Sequence, residues 1–234
     1  MKAYKIIDSH CHIYPDKIAR KASDSTGEFY HMASLYDGKI STLLENGTAA
    51  GIDHFIVQSV ATAPKQVSSI NRFIAESVAQ YEGRLTGLGT MHPDSENMEA
   101  EVEEIIALGL KGVKLHPDIQ KVKIDDPRMH KIYELCRGRL PILMHTGDSR
   151  FDFSNPNRMA PIIMGISVRV IVNAPTGIDT KNCNTMTSAA RIAVPTRRWT
   201  WVLLAFIFLS PSATVSVKPN IVHPHYTTFL YKMQ

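Results

Sequence analysis

Short apolar segments alternate with helix-like segments five times in the first 163 residues, and this alternation restricts the fold more than any other feature. The predicted strands cover residues 6–12, 54–60, 84–91, 113–115 and 141–144. Between them, apolar residues recur at the three-and-four spacing of an amphipathic helix, as in residues 65–81. Strands that alternate with helices pair in parallel through right-handed crossovers, so the sequence predicts an α/β fold.

Histidines follow or end four of these predicted strands. His12, His92, His116 and His145 each come at the end of an apolar run. In an α/β barrel the carboxyl ends of the strands meet at one mouth, where active sites lie. We therefore expect imidazoles to gather there. For His92 we prefer a structural interpretation, because His92-Pro93-Asp94 is typical of a strand-to-helix turn with Asp94 as the helix cap.

His10 and His12 lie two residues apart on the first predicted strand. Side chains two apart in an extended strand point to the same side, so both imidazoles face one cavity. Neutral imidazole is the commonest protein ligand for metals, and this pair predicts a zinc-type site. The alternative is two incidental surface histidines.

Length and cysteine content point to one intracellular domain. The chain has 234 residues, 44% of them hydrophobic, which is enough for a substantial core. Its three cysteines are odd in number, lie far apart and form no Cys-x-x-Cys pair, which argues against a disulfide framework. No apolar run of signal-peptide length begins the sequence. We expect a cytoplasmic protein.

The last 71 residues differ from the rest. Residues 164–234 contain seven basic residues and a single acidic one, Asp179, and they lack the strand–helix alternation. We therefore divide the chain into a barrel portion, 1–163, and an atypical basic tail, 164–234, that completes or replaces the last barrel units. The bases are scattered without interleaved aromatics, so we expect no nucleic-acid partner. The apolar run 199–209 is about half the length of a membrane-spanning helix, so we expect no membrane association.

Three motifs carry a family resemblance. They are Ile-Asp-Ser-His-Cys-His at 7–12, Gly-Val-Lys-Leu-His-Pro-Asp at 112–118 and Pro-Ile-Leu-Met-His-Thr-Gly-Asp at 141–148. Together they resemble the metal-dependent amidohydrolase superfamily over about residues 4–163, and more narrowly the amidohydrolase-related branch that includes aminocarboxymuconate semialdehyde decarboxylase. The resemblance implies a TIM-barrel-like (β/α) fold, incomplete here. It also implies that His10, His12 and His145 bind one divalent metal ion, most often zinc.

The resemblance implies a metal-dependent hydrolase that acts on a small carboxylate-bearing or cyclic substrate through a metal-activated water. A carboxy-lyase of the same branch is the alternative. The family pattern also has a His at the end of its sixth strand and an Asp at the end of its eighth. Residues 168–172 resemble the sixth strand but lead to no imidazole, and no acid follows Asp179. Enzymatic activity is therefore left open, and a catalytically silent barrel fragment is the third interpretation.

Further residues are candidates for the chemistry. Lys114 and His116 lie two apart on the fourth predicted strand and share a face, so either could orient a substrate carboxylate or act as the missing base. An ion pair and a turn residue are the alternative roles. Asp148 and Arg150, in the loop after His145, are candidates for binding the substrate, or else form a solvated salt bridge.

Two expectations concern the edges of the molecule. Residues 13–37 show no clear periodicity and predict a long loop over the barrel mouth, with aromatic residues as a pocket wall. An incomplete barrel leaves unpaired strand edges, which predicts self-association into a homo-oligomer.

Overall fold

The computed structural model describes residues 5–146, 148, 150–155 and 158, and the backbone of short strands in the remainder of the chain. The main part contains β1 (Ile7–His12), α1 (Asp16–Tyr30), α2 (Ile40–Ala49), β2 (His54–Gln58), α3 (Val67–Gln80), β3 (Leu85–Gly87), β4 (Gly89–Thr90), α4 (Met98–Ala107), β5 (Val113–Leu115), α5 (Pro117–Gln120), α6 (Pro127–Cys136) and β6 (Ile142–His145). Beyond these lie β7 (Val170–Pro175), β8 (Trp201–Leu203), β9 (Val215–Val217), β10 (Val222–His223), β11 (Tyr226–Thr227) and β12 (Tyr231–Met233).

The strands that carry the predicted site form two sheets. One has the order β1-β2-β3 and the other β4-β5-β6-β7-β8. Every neighbouring pair from β1 to β7 is parallel, whereas β8 runs antiparallel to β7. The parallel pairing confirms the sequence prediction. In the tail, β7 overlaps residues 168–172, which resemble the family's sixth strand, and pairs with β6.

The third predicted strand is wrong in one respect, because residues 84–91 form two short strands in different sheets. The backbone changes partner at Leu88. The Leu88 N–H donates to the Val57 carbonyl of β2 at 2.9 Å, whereas the next N–H, that of Gly89, donates to the Gly112 carbonyl at 2.8 Å. This exchange links the two sheets in sequence and brings the ends of β1 and β2 near those of β5 and β6.

The largest correction concerns residues 13–37, where the structure has a fifteen-residue helix, α1, in place of most of the predicted loop. Its sequence is largely polar, and of its fifteen residues Ala19 and Gly27 are the buried ones. With so small a buried face, the apolar periodicity that identifies a helix is weak. The helix ends at Tyr30, and His31 follows in the left-handed conformation with φ of 56°.

The outer helices begin where side chains satisfy their first backbone N–H groups. Asn97, rather than the predicted Asp94, caps α4 by accepting a hydrogen bond from the Ala100 N–H at 3.2 Å. Asp126 caps α6 by accepting from the Arg128 N–H at 2.9 Å, and Pro127 takes the first helical position. Among the described helices, none is long and apolar enough to cross a bilayer.

The core lies between these helices and the sheets. It is a continuous cluster of buried side chains that includes Phe55, Ile74, Ile105, Leu115, Ile132 and Tyr133. The Tyr133 hydroxyl donates to the Ile124 carbonyl at 2.8 Å, so the polar atom of this large core residue is satisfied. This packing gives the strand ends a rigid support.

Candidate metal centre

His10 and His12 converge at the carboxyl end of β1. Their Nε2 atoms lie 3.2 Å apart, and their ring centroids 5.2 Å apart. Two nitrogens that bind one zinc ion at about 2.1 Å in tetrahedral geometry lie about 3.4 Å apart. The strand therefore presents this pair at the separation that a shared cation requires. Burial lowers the pKa of His12 to about 3 and that of His10 well below 6.5, so both rings are neutral at pH 7.

His145 ends β6 and lies at the same mouth. Burial lowers its pKa to about 3, with Lys114 adding to the shift and His12 a smaller contributor. His145 in turn lowers the pKa of His10. The three predicted ligands therefore lie within electrostatic range of one another and are neutral, which is the form that binds metals. A single ion shared by all three stays a prediction.

One group of three ligand atoms lies closer together. Among the described residues, His116, Asp118 and His145 form the set whose donor atoms all lie within 4.8 Å of one another. The rings of His116 and His145 are stacked, with centroids 3.9 Å apart and an interplanar angle of 9°. The Asp118 Oδ2 lies 3.7 Å from the His145 Nε2. In this structure His145 thus groups more closely with residues after β5 than with the β1 pair.

The tautomer of His116 follows from its partners. Its Nδ1 accepts a hydrogen bond from the Ile119 N–H at 3.3 Å, and burial lowers its pKa well below 6.5. A neutral imidazole whose Nδ1 is an acceptor carries its proton on Nε2. The His116 Nε2–H therefore donates to the Tyr30 hydroxyl, 2.7 Å away. His116 acts here as a hydrogen-bond donor.

Lys114 lies beneath these imidazoles. Its side chain is fully buried, and among the described residues its Nζ has no hydrogen-bond partner. Burial lowers the pKa of Lys114 to about 7. Its charge also lowers the pKa of His10 and His12, which indicates that the amino group faces the same cavity. Lys114 also lowers the pKa of His116, while the predicted roles of the two residues stay predictions.

Asp118 is a site residue that the sequence reasoning missed. Its side chain is 0% exposed, and neither carboxylate oxygen lies in hydrogen-bond geometry with a described group. Burial raises its pKa to about 6, and the nearby Ser154 opposes that shift. The His-Pro-Asp sequence at 116–118 could have drawn attention to it. The same sequence at 92–94 makes a turn with a half-exposed Asp94, so the motif alone does not separate the two.

Asp148 and Arg150 form a tight pair beside the mouth. The Arg150 Nε and Nη2 donate to the Asp148 carboxylate at 3.0 and 2.6 Å, and its Nη1 donates to the Phe29 carbonyl at 2.8 Å. The guanidinium carbon lies 5.2 to 5.7 Å from the ring centroids of Phe29, Tyr30 and Phe151. The pair therefore ties the end of α1 to the loop after β6. A role in substrate binding stays a prediction.

Tyr30 belongs to the aromatic residues for which the sequence predicts a pocket wall, and in the structure it contacts two histidines directly. Its hydroxyl is 2.7 Å from the His116 Nε2 and 3.5 Å from the His145 Nε2. His92, by contrast, accepts a hydrogen bond from the Asp94 N–H at its Nδ1, 3.1 Å away. The turn interpretation of His92 agrees with this contact.

Sequence comparison decides the family. The model of the amidohydrolase family matches residues 7–194, which is most of the chain. The chain belongs to the amidohydrolase family. The resemblance inferred from the three motifs is thereby confirmed, and the match continues past residue 163, where those motifs end. No curated protein sequence matches this amidohydrolase significantly.

One solved structure supports the fold. The 5-carboxyvanillate decarboxylase of Sphingomonas paucimobilis matches with a TM-score of 0.52 at 16% identity, over 73% of this amidohydrolase and 67% of that chain. A 5-carboxyvanillate decarboxylase of Novosphingobium aromaticivorans, determined with bound manganese and 3-methoxy-4-hydroxy-5-nitrobenzoic acid, matches with a TM-score of 0.49 at 18% identity. That match covers 70% of this chain and 55% of that one, so the amidohydrolase spans between about half and two thirds of these proteins. The first match confirms the expected incomplete TIM-barrel-like fold.

The donor set fits the metal dependence of the amidohydrolase family. The His10 and His12 nitrogens converge, and by its geometry the Asp118 carboxylate has no hydrogen-bond partner among the described groups. A buried carboxylate without a partner is costly, and coordination of a cation removes that cost. These residues are therefore compatible with a divalent ion.

Proposed function

We propose that the chain is a metal-dependent hydrolase that acts on a small carboxylate-bearing or cyclic substrate. The observation that carries the proposal is the 3.2 Å separation of the His10 and His12 Nε2 atoms, with His145 neutral and within electrostatic range. A divalent cation bound there acts as a Lewis acid and lowers the pKa of a bound water toward 7. Zinc is our assignment, because neutral imidazoles are its usual ligands.

The other buried groups supply binding and proton chemistry. The Lys114 amino group, with a pKa of about 7 and no described partner, is suited to hold a substrate carboxylate or to exchange a proton with the substrate. The His116 Nε2–H is committed to Tyr30, so His116 reaches a substrate only by giving up that hydrogen bond. In the family pattern, the His after the sixth strand and the Asp after the eighth strand serve the proton transfers. Lys114 is our first candidate to act as the base in their place.

Asp148 and Arg150 bind substrate under this proposal through an exchange of partners. In the structure, Asp148 occupies the Nε and Nη2 donors of Arg150. A substrate carboxylate presents the same two-oxygen geometry and could replace Asp148 on the guanidinium. Arg150 is already held over the aromatic rings, which lowers the entropy cost of that exchange.

A carboxy-lyase is the second candidate within the family. A buried amino group without a described counter-ion suits a reaction that begins from a carboxylate, and both a hydrolase and a carboxy-lyase could use it. A catalytically silent fragment is the third candidate. We also propose a small-molecule substrate, self-association, a cytoplasmic location and the division of the chain near residue 163.

Metal analysis and substrate assays test the proposal together. The purified protein is expected to contain about one zinc ion per chain, and His12→Gln is expected to lose it while His130→Gln, a change at a partly buried position of α6, keeps it. A panel of model amides, lactones and aryl carboxylates then separates the candidates. Acid release from an amide or lactone supports the hydrolase, and CO2 release supports the carboxy-lyase. Bound zinc without turnover supports the silent fragment, and absence of bound metal contradicts the metal centre.

A further inference from the structure

Asp118 is a buried carboxylate at the mouth, and among the described residues only Ser154 and Arg150 favour its charged form, without outweighing the cost of burial. Its side chain is 0% exposed, and neither oxygen makes a hydrogen bond to a described group. Asp148, by comparison, has both oxygens on Arg150. An ionised carboxylate that is buried without a hydrogen bond or a close positive partner is destabilising. A bound ligand that supplies the missing partner would remove this cost.

The position of Asp118 identifies that ligand as a cation. Its Oδ2 lies 3.7 Å from the His145 Nε2, and both groups lie at the carboxyl ends of neighbouring strands, β5 and β6. At 3.7 Å the two atoms are too far apart for a hydrogen bond. A carboxylate oxygen and an imidazole nitrogen that each bind one ion at about 2.1 Å lie about 3.0 to 3.4 Å apart. A shift of a few tenths of an ångström would let both coordinate the same ion.

His116 is the third residue whose potential ligand atoms lie close to those of Asp118 and His145. Its hydrogen bonds leave it unable to bind the metal. Its Nδ1 accepts from the Ile119 N–H and its Nε2–H donates to Tyr30. Neither nitrogen therefore offers a free lone pair. The Gln120 side chain also accepts from the His116 backbone N–H at 3.0 Å, which fixes the residue in this orientation.

We propose that Asp118 is a metal ligand, which with His145 holds a divalent cation at the mouth that also carries His10 and His12. The segment after β5 thus provides the carboxylate that the family pattern places at the end of its eighth strand. This inference rests on the metal-dependent function proposed above. His116 then holds the short helix α5, and with it Asp118, through its contact with the Ile119 N–H.

The test measures metal affinity directly, without a substrate. Zinc chloride is titrated into metal-free wild type, Asp118→Asn and Asp16→Asn, with a competing chelator, and cobalt absorption spectra are recorded for the same proteins. Asp118→Asn keeps the shape but removes the charge, and Asp16 is exposed at the start of α1. We expect Asp118→Asn to weaken zinc binding at least tenfold and to change the cobalt spectrum, while Asp16→Asn behaves as wild type. Asp118→Ser, which is smaller, replaces Asp118→Asn if the latter does not fold.

The outcomes separate this inference from the proposed function. Equal zinc affinity of wild type and Asp118→Asn overturns the role of Asp118 but leaves the metal-dependent function intact. Failure of the wild type to bind zinc or cobalt overturns both. Metal-free Asp118→Asn is expected to be at least as stable as metal-free wild type, because it removes an uncompensated buried charge. A metal-free variant that is less stable assigns Asp118 a structural role and contradicts the inference.

Discussion

Gln120 joins three segments at the mouth, and its replacement by leucine probes how the site is held. The Nε2 of Gln120 donates to the carbonyls of Ala61 and Met91 at 3.1 and 2.8 Å, and its Oε1 accepts from the His116 N–H at 3.0 Å. These backbone groups follow β2, β4 and β5, respectively. One amide thus connects both sheets next to the histidines.

The loss of stability follows from the three partners that Gln120→Leu abandons. Ala61 and Met91 are fully buried and His116 is 4% exposed, so water reaches their backbone groups poorly. A buried donor or acceptor left without a partner costs about 1–3 kcal/mol, which gives a total of at least about 3 kcal/mol. Leucine recovers part of this through its apolar surface. We therefore expect a decrease in the free energy of unfolding of about 3 kcal/mol.

Urea denaturation followed by circular dichroism measures this change in metal-free protein. A decrease of 3 kcal/mol corresponds to a melting temperature lower by roughly 6–12 °C for a chain of this length. Gln80→Leu, at an exposed position near the end of α3, is the matched control and is expected to change stability by less than about 0.5 kcal/mol. A loss below 1 kcal/mol in Gln120→Leu would refute the argument that these three backbone groups depend on one amide.

Three other perturbations test the neighbouring structure. The metal-free protein is expected to lose about 2 kcal/mol of stability between pH 7 and pH 5.5. His12 and His145 have a pKa of about 3 in the folded protein and near 6.5 in the unfolded chain, so the unfolded chain binds more protons in that window. A urea midpoint that does not change between these pH values would contradict this. Lys114→Met is expected to stabilise the metal-free protein by about 1–3 kcal/mol while lowering turnover, and a destabilised variant would indicate a structural lysine. Gly47→Ala is expected to cost about 1–3 kcal/mol, measured by urea denaturation, because a methyl group there overlaps the Phe55 ring.

The parts of the site that lie on strands could be predicted from the sequence. His10 and His12 share a face because strand side chains alternate, and His145 ends a short apolar run whose place in the strand–helix alternation indicates a buried strand. The parallel order followed from the alternation of strands and helices. In each case the signal is local, since neighbouring residues decide both the element and the direction of the side chain.

The missed parts depend on contacts between distant segments. Tyr30 contacts His116, 86 positions away in sequence, because α1 folds back over the strand ends. Because α1 is largely polar, few apolar residues reveal its helical periodicity. From the sequence, Asp118 resembles a turn residue, whereas in the structure its side chain is buried. The division of residues 84–91 at Leu88 arises from a change of hydrogen-bond partner, which no single segment specifies.

The two uncompensated charges at the mouth constrain the ligand more than either does alone. Lys114 and Asp118 are both buried, yet among the described ion pairs they are not partners of each other. If their role were structural, mutual pairing would lower the cost of burying both. We therefore infer that the two groups serve different ligands. Under the proposed function, a cation would satisfy Asp118 and the neutral imidazoles and an anionic group of the substrate would satisfy Lys114, so we expect the metal ion and an acidic substrate to bind at the same mouth.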